Sequence, residues 1–576
     1  MTAMTEYRRW LMSPALSETE KAELCALEGN TAEIEERFTR PLVFGTAGLR
    51  GVMGVGLGRI NVHIVRHVTQ ALANLILREG PEAAARGVAI ACDCRLHAEE
   101  YAKQAACVLA GRGIAALLFD ELRPTPELSF AIRAHHCIAG INITASHNPR
   151  EYNGYKVYWS DGAQLPPAHA DAVAREMAQL DPLESAVAVD FDEALRAGRI
   201  RWLGAETDRA FLDCVLAQSV APDAVRAVAG DFKLVYTPFH GAGYRLVPEA
   251  LTALGFRHVL CEPEQMKIDG NFPTVASPNP ENVKSFERAL ALAREHGVDL
   301  VIGTDPDADR VGVMVRDRAG GYIPLTGNQV GVLLMDYLIR ARRAAGTLPA
   351  HPAVVQTIVT TRMTHAIAKK NDIAVFETFT GFKFIAEVIA KLIASGSHQY
   401  LMGFEESYGY LIGSHARDKD AVTASVLIAE MAAWHRQQGM SLFDALQALY
   451  ETYGYYREAT LNLVMPGLAG LARMQELMDG LRGDPSADIA GTPVKAVCDY
   501  LPGRRFESAT GAVSDMELSG SDVLGFELLD GTRLLVRPSG TEPKVKVYIQ
   551  AHGADAPTAD DTVARFTQWA KKLVKA

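Results

Sequence analysis

The stretch RGVAIACDCRLHAEEYAKQAACVLAGRGIAALLFD, residues 86–120, runs from an apolar segment through a helix of amphipathic spacing into a second apolar segment. A strand, a helix and a strand in that order form the repeating unit of an α/β sheet. Working outward, the theme recurs. A second helix leads to IAGINITASHNP (138–149), and a new round opens at FKLVYTPFHGAG (232–243). That round passes through helices near RLVPEALTALG and FERALALAREHG into VDLVIGTDPDADR (298–310). A third comprises PAVVQTIVTT (352–361), THAIAKKND, IAVFETFTGFK (373–383) and QYLMGFEESYGY (399–410). Each round ends in a polar loop beyond the carboxyl end of a strand, where open α/β sheets bind ligands. The last quarter departs from the pattern. LNLVMPG, a helix, and VLGFELLDG followed by TRLLVRPSGTEPKVKVYIQA read as an α+β domain, with Asp530-Gly531 as a hairpin turn. The boundaries are expected near residues 205, 322 and 452.

Composition narrows the function classes. The chain has 576 residues, 48% hydrophobic and 22% charged, enough for several folded cores. A net charge of −11 argues against a broad electrostatic hold on nucleic acid or an anionic membrane. The eight cysteines are scattered, and Cys92 and Cys94 form C-x-C without a second pair to complete a zinc site. A reduced, cytoplasmic setting is expected. The N-terminal segment has no apolar core of signal-peptide length, and no run approaches a membrane span.

GTDPDADR, Gly303–Arg310, carries the most specific chemistry. Asp305, Asp307 and Asp309 alternate, which in an extended segment places all three carboxylates on one side, where they repel unless a cation lies between them. An oxygen-only donor set suits Mg²⁺. A calcium loop also opens D-x-D-x-D, but its sixth and twelfth places hold Arg310 and Arg316 rather than Gly and Glu. Ser146 lies in ITASHNPREYNGYKVYW (143–159), an apolar strand, a polar loop and an aromatic strand opening with Lys156. It is not in a G-x-S-x-G elbow. His147 is expected to point away from it, as neighbours on an extended loop do, and so to orient the loop or a phosphate. A serine facing a magnesium site suggests phosphoryl transfer.

Four motifs stand in order: TASHNP, GTDPDADR, GFEESYG and RPSGTEP. With GTAGLRG and NGYK they make the chain resemble the α-D-phosphohexomutase family over nearly its whole length. The resemblance implies three consecutive mixed-sheet α/β domains plus a C-terminal α+β domain around a central cleft: 1–205 with the phosphoserine loop, 206–322 with the metal loop, 323–452 with the sugar loop and 453–576 with the phosphate loop. It implies a phosphosugar mutase that interconverts glucose 1-phosphate and glucose 6-phosphate through a phosphoserine and a 1,6-bisphosphate. Mg²⁺ is the implied cofactor and glucose 1,6-bisphosphate the implied activator. Ser146 would carry the phosphoryl group and complete the metal site of Asp305, Asp307 and Asp309. Arg310 would face the phosphoserine, and Arg50 and Lys156 would steer protons and charge near it. Glu405 and Ser407 match the pair that holds sugar hydroxyls, and Arg537, Ser539, Gly540 and Thr541 the loop that binds the non-reacting phosphate. Pro306 and Ala308 stand where many members have glycine. The sugar loop also resembles that of a branch including phosphopentomutases, so phosphomannomutase and phosphopentomutase activities remain alternatives.

Apart from the family, Lys383 in TGFK and Arg417 and Lys419 in SHARDKDAV supply charge that could reach an anionic sugar, or decorate an exposed face. GVMGVGLGR (51–59) matches no dinucleotide fingerprint and reads as a flexible loop. A non-catalytic sugar-phosphate-binding scaffold is the alternative of another class, but a scaffold has no need to crowd three carboxylates together. The expected partner is a small phosphosugar, with no nucleic acid and no membrane, for a monomer or weak dimer.

Overall fold

The structure, a computed structural model, describes residues 2–45, 48–184, 186–465, 470–483, 485–539 and 544–573. By its contacts the chain divides into two compact units, residues 1–330 with 407–441, and residues 331–406 with 442–576.

The first unit holds two mixed sheets. Strands β1 (Leu49–Val52), β2 (Val88–Cys92), β3 (Ala116–Phe119), β4 (Ala139–Ile143), β5 (Tyr152–Trp159) and β6 (Ile200–Leu203) run in the order β1-β5-β4-β2-β3-β6. β2 is parallel to β3 and β4, and β5 is antiparallel to both β4 and β1. Every residue of β2 and β4 is buried, as in a sheet covered on both faces. The helix Ala98–Gly111 buries Ala98, Ala102, Ala105 and Leu109, a stripe of helical period whose small side chains allow close approach. β5 starts at Tyr152 rather than at Lys156. Gly154 lets it lie between its neighbours, since a Cβ there would come within 2.6 Å of Thr144 O and 2.8 Å of Leu49 O. Residues 51–59 are packed rather than flexible: Val55 is buried, and Gly54 and Gly56 turn at positive φ values of 142° and 136°.

The second sheet holds β7 (Lys233–Thr237), β8 (His258–Cys261), β9 (Leu300–Thr304), β10 (Val311–Arg316) and β11 (Tyr322–Leu325) in the order β11-β10-β9-β7-β8. β7 is parallel to β8 and β9, while β10 runs antiparallel to β9 and β11.

In the second unit β12 (Pro352–Thr357) lies between β13 (Ala374–Thr378) and β14 (Gln399–Glu405), parallel to both. The next strand, β15 (Gly409–Ile412), belongs to the first unit. The last sheet is antiparallel: β16 (Tyr455–Val464), β17 (Asp488–Ile489), β18 (Thr492–Asp499), β19 (Arg504–Glu507), β20 (Val513–Asp515), β21 (Leu524–Leu528), β22 (Arg533–Pro538) and β23 (Lys544–Gly553). Its order is β16-β23-β22-β21-β18-β19-β20, with β17 on β18. The β21–β22 hairpin turns at Asp530-Gly531, where Gly531 has φ +86°. Leu535 and Tyr548 pack with Ile358 and Val359, and Gln550 Nε2 donates to Thr360 O at 2.7 Å, joining this sheet to the segment after β12. Among the described residues no helix is long and apolar enough to cross a membrane.

Candidate active site

Strands β4 and β9, in separate sheets, each end in a polar loop, and the two loops meet. Ser146, buried at 3% exposure, follows β4 with φ +52°. Its N–H donates to Thr144 Oγ1 at 2.8 Å, and its Oγ donates to Asp305 Oδ2 at 2.8 Å. The left-handed backbone also reverses the expected direction of His147. The loop is not extended at Ser146, so His147 Nδ1 lies 3.1 Å from Ser146 Oγ instead of facing away. Burial, with Arg310 and Arg50 close by, pulls the His147 imidazole well below its ordinary pKa.

Asp305, Asp307 and Asp309 are buried, and each offers a carboxylate oxygen within 4.8 Å of the others. Alternation in an extended segment is not what gathers them. The segment closes into a tight turn between β9 and β10: Ala308 N donates to Asp305 O, and Ala308 itself has φ +49°. Glycine adopts that conformation without strain, so an alanine here needs support from its surroundings. Gly241 provides part of it, with Ala242 N donating to Pro306 O at 2.7 Å, an approach a Cβ on Gly241 would block at 2.4 Å from Pro306 Cα. Asp305 Oδ1 accepts the N–H groups of Asp309 (3.1 Å) and Arg310 (3.0 Å).

Two lysines offset the three charges. Lys156 Nζ donates to Asp307 Oδ2 at 2.7 Å, and Lys419 Nζ pairs with Asp309 Oδ2 at 3.0 Å. Thr125 Oγ1 donates to the same Asp307 Oδ2 at 2.9 Å. Burial, with Asp307 and Asp309 adjacent, pushes the Asp305 carboxyl well up. At Asp307 burial acts the same way but is outweighed by Lys156 and Lys419, which hold it low. Asp307 Oδ1 and Asp309 Oδ1 are buried without a hydrogen-bond partner. Three carboxylates gathered round one point, two of them with an oxygen lacking a hydrogen-bond donor, fit a divalent cation such as Mg²⁺.

The remaining candidates are distributed. Arg50 Nη1 donates to Asn148 Oδ1 at 2.9 Å, on the serine loop. Arg310 pairs with Glu281 at 3.1 Å, its Nε lying 3.8 Å from Asp309 Oδ1. Lys419, expected to reach a sugar, is instead turned onto the acidic triad, because SHARDKD is anchored beside it. Arg417 N donates to Ser129 Oγ at 2.8 Å, the Arg417 guanidinium donates to Ser414 O and Ala416 O, and Asp418 Oδ2 accepts Tyr158 OH and Gln164 Nε2 at 3.0 Å each. Ser407 opens the part of the sugar loop that lies in this unit. In the other unit Glu405 Oε1 accepts Gly381 N–H at 2.8 Å. Burial and the adjacent Glu405 push the Glu406 carboxyl up to about 7. Lys383 sits over the Phe384 ring at 4.7 Å. Arg537 Nη1 donates to Thr380 Oγ1 at 2.6 Å, and Ser539 N donates to Lys544 O at 2.8 Å. Gly540 and Thr541 lie outside the described residues. Sequence reasoning missed Thr125, Asp418, Asp93 and Arg95. Of these, Asp93-x-Arg95 carried a usable signal, two charged residues at the carboxyl end of a buried strand.

Family profiles match the chain in four consecutive blocks. The phosphoglucomutase/phosphomannomutase alpha/beta/alpha domains I, II and III match residues 41–184, 209–320 and 326–453, and the C-terminal domain matches 488–568. A phosphoglucomutase of Staphylococcus aureus (strain N315) is 35% identical over 547 residues, spanning 93% of this chain and 94% of that protein. Two solved structures share the fold. A phosphoglucomutase/phosphomannomutase family protein from Burkholderia thailandensis has TM-score 0.64 at 18% identity, covering 93% and 96% of the two chains. The pp63/parafusin phosphoglucomutase of Paramecium, in its open form, has TM-score 0.68 at 17% identity, covering 92% and 94%. With four family domains in sequence, an acidic triad facing a buried serine, and a relative sharing a third of its residues across nearly the whole length, the chain belongs to the phosphoglucomutase/phosphomannomutase family and is a phosphosugar mutase.

Proposed function

We propose that this enzyme interconverts glucose 1-phosphate and glucose 6-phosphate, with Ser146 as the phosphoryl carrier and glucose 1,6-bisphosphate as intermediate and activator. The observation that carries the reading is Ser146 Oγ, buried and 2.8 Å from Asp305 Oδ2 at the edge of three carboxylates. A scaffold protein gains nothing from that crowding. Asp305, Asp307 and Asp309 would hold Mg²⁺ together with an oxygen of the Ser146 phosphate. Bound there, the cation neutralises charge on the phosphoryl group.

The protein's own groups supply the rest. Lys156, on β5, and Lys419, in the SHARDKD segment, balance the triad and tie those two elements to the loop after β9. His147, beside Ser146 Oγ, is suited to orient the loop or a phosphate, and Arg50, bonded to Asn148, is suited with Lys156 to steer protons and charge near Ser146. Arg310 adds positive charge at the metal loop. Glu405 and Ser407 are suited to sugar hydroxyls, with Lys383 and Arg417 as flanking charge. Arg537, Ser539 and the Gly540–Thr541 turn are suited to the phosphate that does not react, a planar guanidinium matching phosphate oxygens whichever sugar carbon bears them. The four domains follow the boundaries near 205, 322 and 452. All eight cysteines stand free, which fits the cytoplasm.

The test is a coupled assay with Mg²⁺ and trace glucose 1,6-bisphosphate, comparing the 1-phosphates of glucose, mannose, glucosamine and ribose. We expect kcat/KM for glucose 1-phosphate to exceed the others by at least about tenfold, the effect of one unmatched polar contact. A higher value for another sugar would reassign the substrate. Glu405→Gln removes the charge behind a sugar contact, so kcat/KM should fall by about 1.5 to 3 kcal/mol, roughly ten- to 150-fold. An unchanged kcat/KM with every sugar would take Glu405 out of the site.

A further inference from the structure

The loop that carries Ser146 is held from behind by two residues with no assigned part in the chemistry. β2 and β4 are parallel neighbours, so the residues just past their carboxyl ends emerge side by side: Asp93 N still donates to Ile143 O at 3.1 Å. Asp93 Oδ2 accepts Thr144 Oγ1 at 2.6 Å, and Thr144 Oγ1 in turn accepts the N–H of Ser146 at 2.8 Å. Asp93 Oδ1 accepts Arg95 N at 2.9 Å, and Arg95 Nε lies 3.3 Å from Asp93 Oδ2 in an ion pair whose two side chains are fully buried.

The Arg95 guanidinium then gathers the loop's carbonyls. Nη2 donates to Ser146 O at 2.6 Å and Asn148 O at 2.5 Å, and Nη1 donates to Pro149 O and Tyr152 O at 2.9 Å each. Phe272 covers the guanidinium at 5.2 Å. Four carbonyl dipoles pointing at one spot repel one another without a cation among them, and a planar fork with five fixed donors satisfies all four at once. An ammonium has three donors at a single point and leaves carbonyls unmatched.

This arrangement bears on Ser146 because that residue adopts φ +52°, a conformation that a residue with a Cβ holds only when its surroundings impose it. Carbonyl and N–H of Ser146 are both captured, one by Arg95 and the other through Thr144 by Asp93, which leaves Oγ as the group turned outward to Asp305. We infer that Asp93 and Arg95 are positioning residues for phosphoryl transfer: they hold the serine loop in the left-handed turn that aims Ser146 Oγ at the acidic triad, and they do not touch substrate. The inference rests on the reading of Ser146 as phosphoryl carrier.

The experiment compares Arg95→Lys and Asp93→Asn with the parent enzyme, measuring kcat and KM for glucose 1-phosphate with Mg²⁺ and saturating glucose 1,6-bisphosphate, thermal midpoint, and phosphate on Ser146 by intact mass. Misaiming the nucleophile while leaving sugar and phosphate grips in place should lower kcat by about 100-fold in Arg95→Lys and at least about tenfold in Asp93→Asn, with KM within about threefold. Phosphate uptake from the bisphosphate should slow in parallel. If Arg95→Lys does not fold, Asp93→Asn decides, since it keeps the shape and the acceptor for Arg95 N. A folded variant with kcat within about threefold of the parent overturns the inference, as does a loss confined to KM. A Ser146→Ala protein that still takes up phosphate and turns over would instead overturn the underlying reading, whatever Arg95 does.

Discussion

Ser146→Ala is expected to lower kcat by about 10⁴-fold or more, because removing a covalent carrier leaves only binding and electrostatic assistance. The Asp305 carboxylate accepts Ser146 Oγ and the backbone N–H groups of Asp309 and Arg310, so the hydroxyl it holds is that of Ser146. Water admitted in place of Oγ would drain the bisphosphate and could not return a phosphoryl group to the sugar. Folding should survive the change. The variant loses the hydrogen bonds of Oγ to the buried Asp305 carboxylate and to His147 Nδ1, about 1 to 3 kcal/mol, so the thermal midpoint should fall by only a few degrees in a chain of this size. Intact mass after incubation with glucose 1,6-bisphosphate provides the second measurement: the parent gains a phosphate-sized addition and the variant does not. Undiminished turnover in the variant would end the phosphoserine mechanism.

Removing divalent metal is expected to reduce activity below about 1% of the parent, with full recovery on adding Mg²⁺. The reason is electrostatic. Oxygens of Asp305, Asp307 and Asp309 lie within 4.8 Å of one another, and at an effective dielectric of about 20 a pair at that separation repels by roughly 3 kcal/mol. Lys156 and Lys419 offset part of this, yet Asp307 Oδ1 and Asp309 Oδ1 remain without a hydrogen-bond partner. The same logic gives a measurement independent of turnover. Mg²⁺ at about 100 times its Kd should stabilise the fold by about 2.7 kcal/mol, a rise in thermal midpoint that Asp309→Asn should largely lose. Parent enzyme that stays active in excess chelator, in protein verified as metal-free, would refute the metal site.

Much of the fold was legible in the sequence because it depends on local pattern. Apolar runs at 88–92, 116–119 and 139–143 became buried strands, and the alanine stripe from Ala98 to Leu109 became the helix face packed near them. Asp530-Gly531 turned where its φ preference required. The residues proposed for the chemistry could be singled out in the sequence too, since Ser146, the three aspartates and Lys156 stand in motifs whose residue types suit phosphoryl transfer.

How those residues meet was not legible. The aspartates converge because the chain turns at Ala308 with φ +49°, a conformation a sequence does not announce at alanine, and His147 reaches Ser146 Oγ because Ser146 is itself left-handed. Lys419 faces Asp309 because Ser129, Tyr158 and Gln164, between 254 and 288 residues away in sequence from the atoms they bind, anchor its loop. Arg95 serves the serine loop only because β2 and β4 lie in parallel register. Residue order thus determined which strands, helices and reactive groups this protein has, because side-chain period and turn preference act over a few residues. Which groups touch was decided by the tertiary structure: strand register and a few strained loop dihedrals depend on packing between segments far apart in the chain.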